Sequence, residues 1–252
     1  AQRAVCCYLE MDNASPRAPI ALYGTPGMIR RFTLGNTPVR GTIRQGTLSY
    51  WVAGNSVYKV SGSGTTYTAT LLGVIGTSSG QVGMASNGTQ VLIVDGNKGW
   101  LATSTTLAEI TDADFPDGVT RCTFQDGYFI VAGDGTNKFY INETPNTGSV
   151  WNGTDFASAE GAPDNTVALI SDHRELWLGG GDSFEVFVNT GNADFPFERS
   201  GNTFIEHGCA AGGTLAKLDN TVFWLGEDDR GGAVVFRAQG YSPVRISTHA
   251  LE

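Results

Sequence analysis

Reactive side chains and cations are scarce in this chain. Only 16% of its 252 residues are charged, and 16 Lys and Arg stand against 25 Asp and Glu, a net charge of −9. So acidic a chain lacks the cations needed to displace phosphate counterions, which argues against sequence-specific nucleic-acid binding. The charge serves solubility instead. Four cysteines and three histidines are spread thinly. No cysteines form a CxxC pair, and adjacent Cys6 and Cys7 would face opposite sides of a strand, so no metal site is expected. Four cysteines in so long a chain make no disulfide framework, and all read as reduced, mostly core residues. No apolar run approaches the ~20 residues of a membrane helix, so no membrane is expected as a partner. The opening AQRAVCCYLEMDN does not read as a signal peptide, because Glu10 and Asp12 end its short apolar stretch.

Helical periodicity is nearly missing as well. Its best candidate, LATSTTLAEITDADF (101–115), is rich in threonine, which favours strand. Turn formers are plentiful: Gly 34 and Pro 9 exceed the combined usage of about 12% in ordinary chains.

A repeat organises these turns. RQGTLSYWVAGNSVYKV begins at Arg44, SNGTQVLIVDGNKGWLA at Ser86, QDGYFIVAGDGTNKFYIN at Gln125, DHRELWLGGGDSFEVFVN at Asp172 and LDNTVFWLGEDDRGGAVVFRA at Leu218. Each has a polar turn, an apolar run, a second turn and a second apolar run. The second turns fall near Gly54, Gly96, Gly135, Gly180 and Glu227, separated by 42, 39, 45 and 47 residues. A four-stranded propeller blade takes about 40–50 residues. The hairpins are expected to be central strands, with TYTATLLGVI (66–75) and YSPVRIST (241–248) among the others. The fold class is therefore all-β: a propeller-like ring of four-stranded antiparallel blades with at least five repeats. A lead-in segment spans 1–43 and the blades span 44–252. Within the lead-in, AVCCYLEM (4–11) is expected to close the ring by pairing with the last blade or with later chain.

The triple glycine at 179–181 could cradle a phosphate, but a strand rather than a helix follows it, and the Lys-Ser/Thr of a nucleotide loop is absent. It reads as a hairpin turn, as does Ser183 beside it. GTSSG (76–80) puts Ser78 in the position of an esterase nucleophile, yet turn-like residues follow where a helix is needed. His173 lies in an exposed turn. The acidic loops DADFPDG (112–118, with Asp112, Asp114 and Asp117), DGTN (134–137) and GEDDRGG (226–232) lack calcium-loop spacing. The Asn-x-Ser/Thr sequons at Asn13, Asn87, Asn142 and Asn152 are coincidences of turn composition. No catalytic, cofactor-binding or metal residue is assigned.

The segment PRAPIALYGTPGMIRRFTLGNTPVRG (16–41), with Thr25-Pro26-Gly27 and Val39-Arg40-Gly41, resembles the opening of the packaged-DNA stabilisation, or tail hub, proteins of short-tailed bacteriophages. GTLSYWVAGNSVYKV (46–60), SFEVFVNTG (183–191) and GGAVVFRAQGYSPVRISTHALE (231–252) resemble later parts of that family in order. The resemblance implies a virion protein without an active site or cofactor, assembled in the host cytoplasm into a ring below the portal. It further implies that the protein seals the channel after genome packaging and contacts other copies of itself, the portal or its adaptor, the tail fibre or spike, and the plug. It also implies chain beyond Glu252. The competing reading is a carbohydrate-binding or glycoside-hydrolysing propeller, whose mark would be aromatic rings around a carboxylate pair on one face.

Overall fold

The computed structural model describes residues 7–11, 20–162, 164–201, 203–228 and 231–248. Ala4, Val5 and Cys6 of the expected closing strand, Asn13 of the first sequon, residues 16–19 of the family motif, Asp229 and Arg230 of the acidic loop, and residues 249–252 lie outside them.

The chain divides into two compact units, Ala1–Thr33 and Leu34–Glu252. In the first, β1 (Cys7–Met11) pairs antiparallel with β2 (Ile20–Gly24), Cys7 opposite Gly24 and Met11 opposite Ile20. The described part of the expected closing strand is thus half of a local hairpin. Its partner is close in sequence, so little loop-closure entropy opposes the pairing.

The second unit holds five four-stranded antiparallel sheets, each built from consecutive strands in sequence order. Blade 1 comprises β3 (Val39–Gln45), β4 (Leu48–Ala53), β5 (Ser56–Ser63) and β6 (Thr66–Val74). Blade 2 comprises β7 (Gly83–Ser86), β8 (Val91–Val94), β9 (Gly99–Ala102) and β10 (Leu107–Glu109). Blade 3 is β11 (Val119–Gln125), β12 (Tyr128–Gly133), β13 (Lys138–Asn142) and β14 (Trp151–Ser158). Blade 4 is β15 (Thr166–Asp172), β16 (Glu175–Gly180), β17 (Phe184–Asn189) and β18 (Phe197–Arg199). Blade 5 is β19 (Ala216–Leu218), β20 (Thr221–Glu227), β21 (Ala233–Gln239) and β22 (Ser242–Arg245). The single helical turn among the described residues is 3-10, at Gly212–Thr214. The segment at 101–115 forms strand and turn, as its threonines demand.

The repeated hairpins are the second and third strands of each blade. Successive strand residues face opposite sides, and in the middle of a stack both sides are covered, so these strands carry continuous apolar runs. All four residues of β8 are buried. The cores lie between blades. Tyr50, Val52 and Val57 of blade 1 meet Val91, Ile93 and Ala102 of blade 2. Leu92, Val94 and Leu101 meet Phe129 and Val131 of blade 3. Ile130, Ala132, Phe139 and Ile141 meet Leu176, Leu178 and Phe187 of blade 4. Trp177, Phe184 and Val186 meet Val222, Trp224, Val234 and Phe236 of blade 5. Each blade thus has a forward face toward the next blade and a rear face toward the one before.

The first strands β3, β7, β11 and β15 are consecutive neighbours, which places them on the inside of the stack. Three of them shift register between Val39 and Gly41, Val119 and Arg121, and Thr166 and Ala168. Such bulges bend and twist a strand. Blade 1 begins at Val39, ahead of the boundary expected at Arg44. The forward face of blade 5 has no described blade over it: Leu218 is 70% and Val244 39% exposed.

Candidate functional site

The tight turns decide whether this molecule holds a site. The triple-glycine turn joins β16 to β17, closed by Gly180 N donating to Ser183 O at 2.8 Å. Its free amides already have an anion. Asp164 Oδ2, from the segment leading into blade 4, accepts from Asp182 N at 2.9 Å and Ser183 N at 3.0 Å, and Ser183 Oγ lies 3.3 Å from both carboxylate oxygens. The glycines answer to packing. A Cβ on Gly180 would stand 2.1 Å from Asp164 Oδ2, and one on Gly179 would stand 2.4 Å from the Phe184 ring. The turn is an internally neutralised cradle with no room for phosphate.

Other blades use the same device. Asp95 Oδ1 accepts from Asn97 N (3.0 Å) and Lys98 N (2.7 Å), while Oδ2 accepts from Thr77 Oγ1 at 3.1 Å. Asp134 Oδ1 accepts from Thr120 Oγ1 at 2.9 Å. Asp228 Oδ1 accepts from Gly232 N at 2.7 Å.

Ser78 is exposed in the loop leading to β7, with no helix behind it. The carbonyls of that loop point the wrong way for an ester site. They turn onto Arg40, which is 7% exposed and donates to Thr77 O, Ser79 O and Gly80 O at 2.7 Å each, to Gly54 O at 2.9 Å and to Thr77 Oγ1 at 2.8 Å. Burial pushes the Arg40 pKa down, and Asp95 opposes that shift. The Val39-Arg40-Gly41 motif is therefore a clamp. Arg40 is the extra residue of the blade 1 bulge, and Gly41 lets the strand approach Val82, whose Cγ2 would be 2.6 Å from a Cβ there.

The acidic loop at 112–118 is also structural. Asp112 accepts from Asp114 N and Trp151 N, both at 3.0 Å, and these amides hold its carboxyl below the usual range. Asp114, Asp117 and Asp134 line an open cavity of about 530 Å³ beside Phe115 and Tyr140. Among the described residues no three His, Cys, Asp or Glu converge as metal ligands. The sequons at Asn87 and Asn152 cap turns through Thr89 N and Thr154 N. Asn142 is fully buried, accepting from Phe129 N and donating to Thr147 O. Burial raises the pKa of the Cys122 and Cys209 thiols, away from the reactive thiolate.

One cluster brings titratable groups together between blades 4 and 5. His173 sits at φ 49 in the turn between β15 and β16. Its Nδ1 lies 2.7 Å from Asp172 Oδ2 and its Nε2 lies 2.8 Å from Asn220 Oδ1 of the facing blade 5 turn. Hydrogen bonds to Asp172 and Asn220 raise its pKa. Nearby, Tyr241 donates to Glu175 Oε1, and that bond lifts the phenol pKa to about 12. Trp177 Nε1 donates to Glu175 Oε2 at 3.3 Å. These groups line a cavity of about 290 Å³. Both ring nitrogens of His173 are engaged, by Asp172 and Asn220. Trp177 is only 4% exposed, so its ring is no platform for a sugar.

Two polar elements gave no sign in the sequence. Arg121 donates to Val167 O at 3.0 Å where the first strands of several blades converge around a cavity of about 330 Å³. Glu185 is buried in blade 4, accepting from Gly161 N at 2.6 Å and pairing with Arg199 Nε at 2.7 Å.

The polar side chains described above hold turns and join blades, and the architecture is that of a β-propeller. The family model described as "Bacteriophage P22 Gp10, beta-propeller", that of the phage stabilisation proteins, matches residues 13–252. The chain belongs to this family and is a structural β-propeller protein of a bacteriophage virion. No curated protein matches the sequence. Among solved structures, a functionally unknown protein from Desulfotomaculum acetoxidans is similar with TM-score 0.65 and 12% identity, over 90% of this chain and 75% of that one. The extracellular domain of a putative hybrid two-component system of B. thetaiotaomicron matches with TM-score 0.56 and 14% identity, over 96% of this chain and 33% of that one. PorZ, a surface component of the type-IX secretion system of Porphyromonas gingivalis, matches with TM-score 0.52 and 12% identity, over 84% and 28%. The chain thus spans a third or less of the last two, and at these identities the likeness shows the fold alone.

Proposed function

We propose that this chain is a non-enzymatic component of the phage tail hub. It forms a ring with other copies below the portal or its adaptor, seals the channel after DNA packaging, and carries the tail fibre or spike and the plug. Assembly takes place in the host cytoplasm. The observation that carries this reading is the family match over residues 13–252. The stack supports it physically: a hub under the pressure of packaged DNA needs a stiff body, each junction between described blades is an apolar core, and Arg40 ties blade 1 to the loop that enters blade 2. The carbohydrate-active reading finds no support in the Glu175 cluster, where both carboxylate oxygens serve Tyr241 and Trp177. Electron microscopy of the native particle tests the hub: copies arranged around the tail axis at the portal are expected, and a single copy away from that axis overturns it.

A further inference from the structure

Two Asn-Gly pairs occur in the chain, Asn87-Gly88 and Asn152-Gly153, each followed by threonine. At such a pair the glycine amide nitrogen can attack the asparagine side-chain carbonyl, because no side chain on the second residue obstructs it. The two pairs share a local fold. In each, the asparagine Oδ1 accepts from the N–H and the hydroxyl of that threonine, at 2.9 and 3.0 Å from Thr89 and at 3.0 and 2.8 Å from Thr154. They differ in what else the attack requires. Asn87 Nδ2 donates to Asn146 O at 3.0 Å, and Gly88 N donates to Ser86 Oγ at 3.1 Å. Leaving group and nucleophile are both tied there. Around Asn152 both are loose. Its Nδ2 has no hydrogen-bond partner among the described residues, since only Oδ1 is engaged. β14 is the outer strand of blade 3, paired with β13 alone. Its register jumps from Trp151 opposite Asn142 to Phe156 opposite Tyr140, so Gly153 has no residue across the ladder. Gly153 is exposed, and the Asp114 carboxylate stands over it: a Cβ on Gly153 would lie 3.3 Å from Asp114 Oδ1.

We propose that Asn152-Gly153 is a self-modification site, at which neighbouring groups of the protein drive loss of the Asn152 amide. Gly153 N attacks Asn152 Cγ, and Asp114 takes the proton that this nitrogen gives up, a general-base role. Negative charge gathers on Asn152 Oδ1, where the N–H and the hydroxyl of Thr154 already donate, as in an oxyanion hole. The new N–Cγ bond closes a succinimide ring, the Cγ–Nδ2 bond breaks, and ammonia leaves with the proton that Asp114 held. Water then opens the ring at either carbonyl, leaving aspartate or isoaspartate, and no oxidant or reductant takes part. Either product places a new carboxylate at the open cavity of about 530 Å³ that Gly153 lines with Asp114, Asp117 and Asp134. The isoaspartate branch also adds a carbon to the backbone of β14. Every group involved belongs to blade 3 or to the segment that enters it, and the chemistry does not rest on the hub reading.

Tandem mass spectrometry of the purified protein, held folded at neutral pH for days and digested at intervals, tests it. Conversion at Asn152 is expected as a gain of about one mass unit, shared between aspartate and isoaspartate peptides, and it should outrun conversion at Asn87 roughly tenfold or more. Asp114→Ala and Thr154→Val, each with the circular dichroism of the parent, should slow Asn152 by a comparable factor and leave Asn87 alone. In urea the two sites should converge on one rate and Asp114→Ala should lose its effect, because only the fold brings Asp114 to Gly153. Equal rates at the two sites in the folded protein, a faster Asn87, no conversion at Asn152, or an Asp114→Ala rate equal to that of the parent each overturn the proposal.

Discussion

At the residue scale, the side chains that resemble functional groups are tied to backbone, and Arg40 is the clearest case. One guanidinium serves four carbonyls and a hydroxyl across two loops of the stack. Arg40→Ala leaves those carbonyls without donors in a buried setting, at about 1–3 kcal/mol for an unsatisfied group and more where several are stranded. We expect urea unfolding of Arg40→Ala to show a loss of about 2–4 kcal/mol, and Arg40→Lys to recover little, since an ammonium cannot span the fork. A loss below half a kcal/mol would show the clamp to be dispensable. His173 gives a pH signature. Its folded pKa is raised, so its contribution is fully present below the unfolded value of about 6.5 and is lost as pH rises through the folded value. The melting temperature of the parent relative to His173→Gln should therefore fall as pH rises from about 6 toward 8. A difference that is flat with pH, or rises, contradicts the Asp172–His173–Asn220 tie.

At the element scale, legibility follows burial on both sides. The second and third strands announce themselves as apolar runs such as VLIV and ELWLGG because blades cover both of their faces. The first strands do not. VRGTIRQ lies on the inner side of the stack, is bulged at Arg40 and mixes Arg, Gly and Gln, so blade 1 starts earlier than composition suggests. Asp164 was invisible for another reason: it precedes the turn it fills by 18 residues, and only the fold brings them together. The triple-glycine turn shows what composition can and cannot say. The following strand already excluded a helix-based phosphate site, but the carboxylate that occupies the cradle is a tertiary fact. Removing it tests the account. Asp164→Ala should cost about 1–3 kcal/mol, because two amides lose their acceptor. Inorganic phosphate should leave the melting temperature of the parent unchanged, and a phosphate-dependent rise in the parent would contradict an occupied cradle.

At the scale of the whole molecule, stability is shared between neighbours. Each core joins only consecutive blades, from blades 1 and 2 through to blades 4 and 5. Such a stack is close to one-dimensional, its stability a sum of blade and interface terms. Blade 3 has described blades on both faces, whereas among the described residues the sheet of blade 5 packs on blade 4 through its rear face, chiefly through Trp224 tilted against Phe184 of blade 4 at 5.0 Å. The Trp224 indole N–H has no hydrogen-bond partner among the described residues, so truncating this side chain removes packing. Trp224→Ala should cost the ~3–5 kcal/mol of a large aromatic cavity, and Phe129→Ala in the core of blades 2 and 3 a similar amount. The two losses should appear in different places. In Trp224→Ala, hydrogen exchange should speed up through β20 and β21 while β8 and β12 keep their protection, since blade 5 can open without exposing another core. In Phe129→Ala the loss should reach blades on both sides of the cavity, because opening that junction divides the stack. Uniform acceleration in both variants would mean that the five blades unfold as one cooperative body and that blade 5 is held by more than its rear face.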